Sequence, residues 1–119
     1  MKTNHPAIHG LSRLDTQDFE PMVIEGERHG EVHFIRDDMR GDSVYRAAVW
    51  HLGEDQLPYE SPYTFRNDET FCVLEGELEI TFEDGSVVTL RQGDIISVAA
   101  GTQTQWRILS PFKKFVVEA

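Results

Sequence analysis

The stretch DETFCVLEGELEI, Asp68 to Ile80, sets an acid ahead of an apolar run, then a glycine, then a strand alternating glutamate with aliphatic residues. In the second half, Leu78, Ile80 and Phe82 share one face while Glu77, Glu79 and Thr81 share the other. A period of two is that of a half-buried β-strand. Gly76 separates it from ETFCVLE, an apolar run that holds the only cysteine, Cys72. One cysteine excludes an intrachain disulfide, and its setting assigns it to buried packing. Glu69 heads the first of these strands, so the question is what its carboxylate faces.

Working outward, the remaining chain reads as further strands. Downstream, Asp84-Gly85 is a hairpin signal, since both residue types tolerate positive φ. SVVTL returns, RQGD turns, IISVAA ends at Gly101, and QWRIL and FKKFVVE close the chain around Pro111. Upstream, GEDQLPYESPY carries Pro58 and Pro62 and reads as a loop that is no central strand. SVYRAAVWHL, Ser43 to Leu52, is a long strand rich in β-branched and aromatic residues. Before it, PMVIEGE and EVHFIRDD are short apolar runs broken around Gly26 and Gly30. Helix is scarce: Ser12 to Glu20 holds one short turn, stopped at Pro21. Repeats and low-complexity linkers are absent. The expectation is an all-β fold, a sandwich or small barrel.

Composition narrows the function classes. The 119 residues suffice for a single domain over 1–119, with 39% hydrophobic and 27% charged residues, as in a folded globular chain. A formal charge of −10 repels phosphate backbones and argues against nucleic-acid binding. No apolar run approaches the roughly 20 residues that span a bilayer. MKTNHPAIHG has no apolar signal-peptide segment, so the expected location is cytoplasmic, away from membranes.

Glu69 to Gly76, with GDIISVAAGTQTQW from Gly93 to Trp106, resembles the two signature motifs of the cupin superfamily. It looks most like small single-domain cupins related to ureidoglycine aminohydrolase and to the cupin domain of ethanolamine-utilisation protein Q. The glutamate, VLEG, Asp84-Gly85, Gly93-Asp94, Gly101 and Trp106 follow the family's order and spacing. The likeness runs from Tyr45 to the C-terminus and implies a cupin-type double-stranded β-helix, a jelly-roll barrel. Residues 1–44 are then extra strands or an arm.

The same resemblance exposes a departure. Metal-dependent cupins draw two histidines and a glutamate from the first motif and a third histidine from the second, converging on one divalent ion with positions left open. Glu69 stands at the glutamate position, seven residues before Gly76. The histidine positions fall on Pro62 and Thr64, on Tyr63 and Phe65, or on Tyr59 and Ser61, according to register. The second-motif histidine position is Thr104, and Ala99 stands for the usual proline. No histidine follows His51. One carboxylate among hydroxyls and aromatics is a poor transition-metal site, so no metal and no cofactor are expected. His5 and His9, and His29 and His33, are spaced by four, which aligns ligands only on a helix. His51 is expected at the barrel mouth, within reach of Glu69 or Asp68, or else half-exposed on its strand.

A carboxylate aimed into an apolar barrel costs several kcal/mol unless hydrogen-bonded or protonated. Candidate donors are Tyr63, Tyr59, Tyr45, Thr104, Gln103, Gln105 and the indoles of Trp106 and Trp50. Two readings stand. In one, Tyr63, Glu69, Thr104, Trp106, His51 and Trp50 line an aromatic-walled pocket for a small organic molecule. In the other, Glu69 is structural, satisfied by backbone amides or Arg66, and both tryptophans fill the core. The favoured function is a metal-independent small-molecule-binding cupin, an accessory or sensor protein in a catabolic pathway. The alternative is an enzyme on a small amine or ureido compound, with Glu69 as catalytic acid or base beside Tyr63 or His51, or within an atypical metal site. A nucleotide-dependent activity lacks its phosphate loop, and the basic residues are scattered apart from Lys113-Lys114. An interaction role rests on Glu75, Glu77 and Glu79 alone, which read as a solvated face that discourages edge pairing. A homodimer is expected, formed through a barrel face or by lending the N-terminal strands to a partner.

Overall fold

The computed structural model describes residues 5–119. Among them run ten strands: β1 (Glu20–Ile24), β2 (Glu27–Arg40), β3 (Ser43–Leu52), β4 (Tyr59–Thr64), β5 (Glu69–Glu75), β6 (Glu77–Phe82), β7 (Val87–Arg91), β8 (Ile95–Val98), β9 (Gln103–Ile108) and β10 (Phe112–Glu118). Among the described residues helix is limited to a 3-10 turn at Glu54–Gln56. All pairings are antiparallel, in a six-stranded sheet of order β1-β2-β3-β10-β5-β8 and a four-stranded sheet of order β4-β9-β6-β7. This is the expected all-β, cupin-type arrangement. Leu52, Phe65, Phe71, Leu78, Ile80, Ile108 and Phe112 are fully buried between the sheets. Each such side chain contributes about 1.5–3 kcal/mol through burial.

The opening stretch folds as its pattern demands. β5 alternates buried Glu69, Phe71 and Val73 with outward Thr70, Cys72 and Leu74. Cys72 is only half-buried, a correction to its assignment to the core, because it is out of phase with the inward residues. Gly76 joins β5 to β6 at φ +83°, and a Cβ there would run into the Pro111 carbonyl oxygen. Left-handed backbone and close approach together demand glycine. At the β6–β7 turn only Gly85 has positive φ; Asp84 instead accepts hydrogen bonds from the Ser86 amide (2.9 Å) and hydroxyl (2.6 Å).

Two expectations are corrected. Gly30 does not break its strand: β2 runs through it, and the missing Cβ leaves room for the Trp50 ring. Nor is the segment around Pro62 all loop, for Tyr59–Thr64 is a strand with Pro62 opposite Gln105. It lies at the edge of its sheet, where a missing N–H is tolerated.

The arm before β1 packs on the chain itself. His33 donates from Nδ1 to the Asp18 carbonyl (2.8 Å), and its Nε2 accepts from the Ser12 hydroxyl (2.9 Å). At Gly10 the arm passes so close to the Ile35 backbone that a Cβ would collide with it. β1 and β2 extend the sheet beside the chain's own β3.

Candidate functional site

Three strands, β4, β5 and β10, bring side chains together at Glu69. It starts β5 facing inward and is 2% exposed. Tyr63 on β4 donates its hydroxyl to Glu69 Oε1 at 2.6 Å. Lys114 on β10, 5% exposed, places Nζ 3.3 Å from Glu69 Oε2. Lys114 is in phase with buried Phe112 and Val116, so the alternation of β10 turns it inward while Lys113 faces out. Its backbone stands opposite Val73, and the side chain reaches along β5 past Phe71 to the carboxylate. The ammonium sits 4.5 Å from the ring centre of Phe71, 4.6 Å from that of Trp106 and 5.5 Å from that of Trp50. Charge, hydrogen bonds and ring faces thus stabilise a cation in a place that water hardly reaches.

Burial is the main force on these groups. It lowers the pKa of Lys114 from the ordinary lysine range, while the Glu69 charge pulls it back up. It raises that of Tyr63, reinforced by the Glu69 charge and hydrogen bond. Tyr63 is therefore a donor to Glu69 and is not suited to act as a base.

The residues singled out in the sequence divide by strand phase. Tyr63, Glu69, Thr104, Trp50 and Trp106 do come together inside the barrel. Thr104, however, donates its hydroxyl to the Tyr63 carbonyl (2.7 Å), locking β9 to β4 rather than serving Glu69. The Trp50 indole donates to the His29 carbonyl (2.8 Å), so its ring is a wall and its N–H is taken. Trp106 packs 4.3 Å from Tyr63 between ring centres, and its Nε1 has no hydrogen-bond partner among the described residues. His51 follows its half-exposed reading and corrects its place in the pocket: it lies on the outer face, next along β3 to inward Trp50, donating to Glu31 (2.7 Å) with its ring centre 5.5 Å from that of Phe19. It pairs with neither Glu69 nor Asp68. Arg66 is exposed and is not a partner of the carboxylate. The decisive partner missed in the sequence is Lys114, whose signal was its phase in FKKFVVE.

The donor set does not fit a divalent metal. Among the described residues no three of His, Cys, Asp and Glu converge. The carboxylate where metal-dependent cupins ligate is engaged by an ammonium, and a second cation beside it would be repelled. His29 hydrogen-bonds Tyr59 (2.8 Å) and His33 holds the arm, so these two do not share a site.

A surface cleft of about 470 Å³ opens between the Phe82–Ser86 turn and Gly101–Gln103. Phe82 on its rim and Tyr63 in the cluster are both cross-strand partners of Thr104, so cleft and cluster share one end of the barrel.

The EutQ-like cupin domain family model matches residues 39–115, more than half of the chain. The chain belongs to that family. No curated protein matches it. Among solved structures it is similar to a putative ethanolamine utilization protein Q from Salmonella typhimurium (18% identity over 85% of this chain and 93% of that one, TM-score 0.61). The EutQ protein of Clostridium difficile is similar at 18% identity, 81% and 74% coverage and TM-score 0.57. A DUF861 family protein from Thermotoga maritima shares 27% identity over 60% of this chain and 76% of its own, with TM-score 0.54. The sequence likenesses under a quarter speak for the fold of this EutQ-like cupin domain, and its site must be read from its own residues.

Proposed function

We propose that this EutQ-like cupin domain is a metal-independent binder of a small organic molecule, held inside the barrel at Glu69, Lys114 and Tyr63. It serves as an accessory or sensor protein in a catabolic pathway and works as a homodimer. The observation that carries this reading is the internal Glu69–Lys114 pair. Two buried charges with aromatic walls are an expensive feature that an apolar core would avoid, and a buried, perturbed charge pair of this kind marks a candidate functional site. The cleft lies at the same barrel end as the cluster, which supports entry of the ligand from that side.

Elemental analysis of tagless protein purified without chelator, together with a thermal-shift screen of small amines, amides and carboxylates, tests it. Transition metal well below one equivalent per chain and a melting shift lost in Glu69→Gln are expected. Stoichiometric metal that disappears in Glu69→Gln, or no small molecule shifting the melting point, would overturn the reading.

A further inference from the structure

The cluster holds hydrogen-bond donors that no neighbour uses. The Lys114 ammonium carries three protons and directs one to Glu69. The Trp106 indole N–H, on a residue only 3% exposed, has no partner among the described residues. The Lys114 ammonium lies 4.6 Å from the centre of that indole ring, so the unused donors belong to one neighbourhood. Both Glu69 oxygens, by contrast, already accept a hydrogen bond. A buried N–H without a partner costs on the order of 1–3 kcal/mol, which an incoming acceptor would recover.

Charge then selects among acceptors. Glu69 and Lys114 cancel, and Glu118, the cross-strand partner of Glu69, also bears on Lys114. A carboxylate ligand would add an uncompensated negative charge to this interior, and an alkylammonium would face Lys114. Neither is favourable where the dielectric is low.

We infer that the ligand of this site is a small neutral molecule whose carbonyl oxygen accepts hydrogen bonds from Trp106 Nε1 and Lys114 Nζ. This inference rests on the binding reading above and names the chemical class that it takes. A small ketone or amide is the simplest molecule of that class.

The two tryptophans of the chain provide the test, because each contributes one indole N–H resonance. Trp50 is already bonded to His29, and Trp106→Phe assigns the other signal. Protein labelled with nitrogen-15 is titrated with propionamide, propionate and propylamine, three probes of one size and different charge. Propionamide should move the Trp106 indole resonance and leave that of Trp50 in place, with the other two binding at least about tenfold more weakly, 1.4 kcal/mol. An unmoved Trp106 resonance, or one that answers better to propionate or propylamine, overturns the inference. The thermal-shift screen distinguishes the two failures: a shift there with Trp106 silent leaves binding standing and removes only the neutral-carbonyl class.

Discussion

Lys114 and Lys113 are adjacent, identical and opposite in fate. One is buried against a carboxylate and the other lies on the outer face, because successive residues of a strand point to opposite sides. The buried pair is coupled, and its members do not contribute independently. Removing one partner by Lys114→Met should cost about 3–5 kcal/mol, since Glu69 is left as an uncompensated buried charge. Glu69→Gln strands the ammonium in the same way. The double variant should lose at least about 1 kcal/mol less than the two single losses combined, read from urea unfolding as a double-mutant cycle. Additive losses would mean that the pair is not formed. The motif pattern made Glu69 visible, but it was silent on Lys114, because a KK doublet reads as two solvated charges until the phase of β10 is known.

At the scale of elements, the corners show what local pattern reveals and what packing adds. Gly76 and Gly85 both have positive φ, +83° and +87°. A Cβ at Gly85 meets nothing, whereas at Gly76 it meets the Pro111 backbone from the β9–β10 connection. Gly85→Ala should therefore cost only the left-handed backbone penalty, roughly 1–2 kcal/mol. Gly76→Ala should cost more, as it must also push two strands apart. Equal midpoints in urea would contradict this. The glycines were legible as turns from their flanking strands. That one of them is also a contact between distant segments was not, because Pro111 lies 35 positions away. Likewise Pro62 spoke against a central strand, and only the order of the sheet reveals an edge strand.

For the whole molecule, the outer face of the six-stranded sheet carries an apolar row. Phe115, Cys72 and Ile95 stand opposite one another across β10, β5 and β8, and Ile95 is 70% exposed, with Val117 exposed nearby. Such a row is where the proposed homodimer would bury its surface. Light scattering coupled to gel filtration should give a dimer, and Ile95→Lys should shift it to monomer. A monomeric parent protein at all concentrations would remove the proposal.

The alternation of ETFCVLE and ELEITF and the glycine between them were enough for an all-β fold, because strand phase and turn chemistry are local properties, and the cupin family followed from the resemblance to its two motifs. The departure from a metal-binding histidine set was equally a matter of residue identity. What only the tertiary structure decided is who faces whom. It turned His51 outward to Glu31, gave the Thr104 hydroxyl to the Tyr63 carbonyl, and brought Lys114 to Glu69 from 45 positions away. These pairings depend on the register between strands distant in the chain, and that register is set by the packing of the whole barrel.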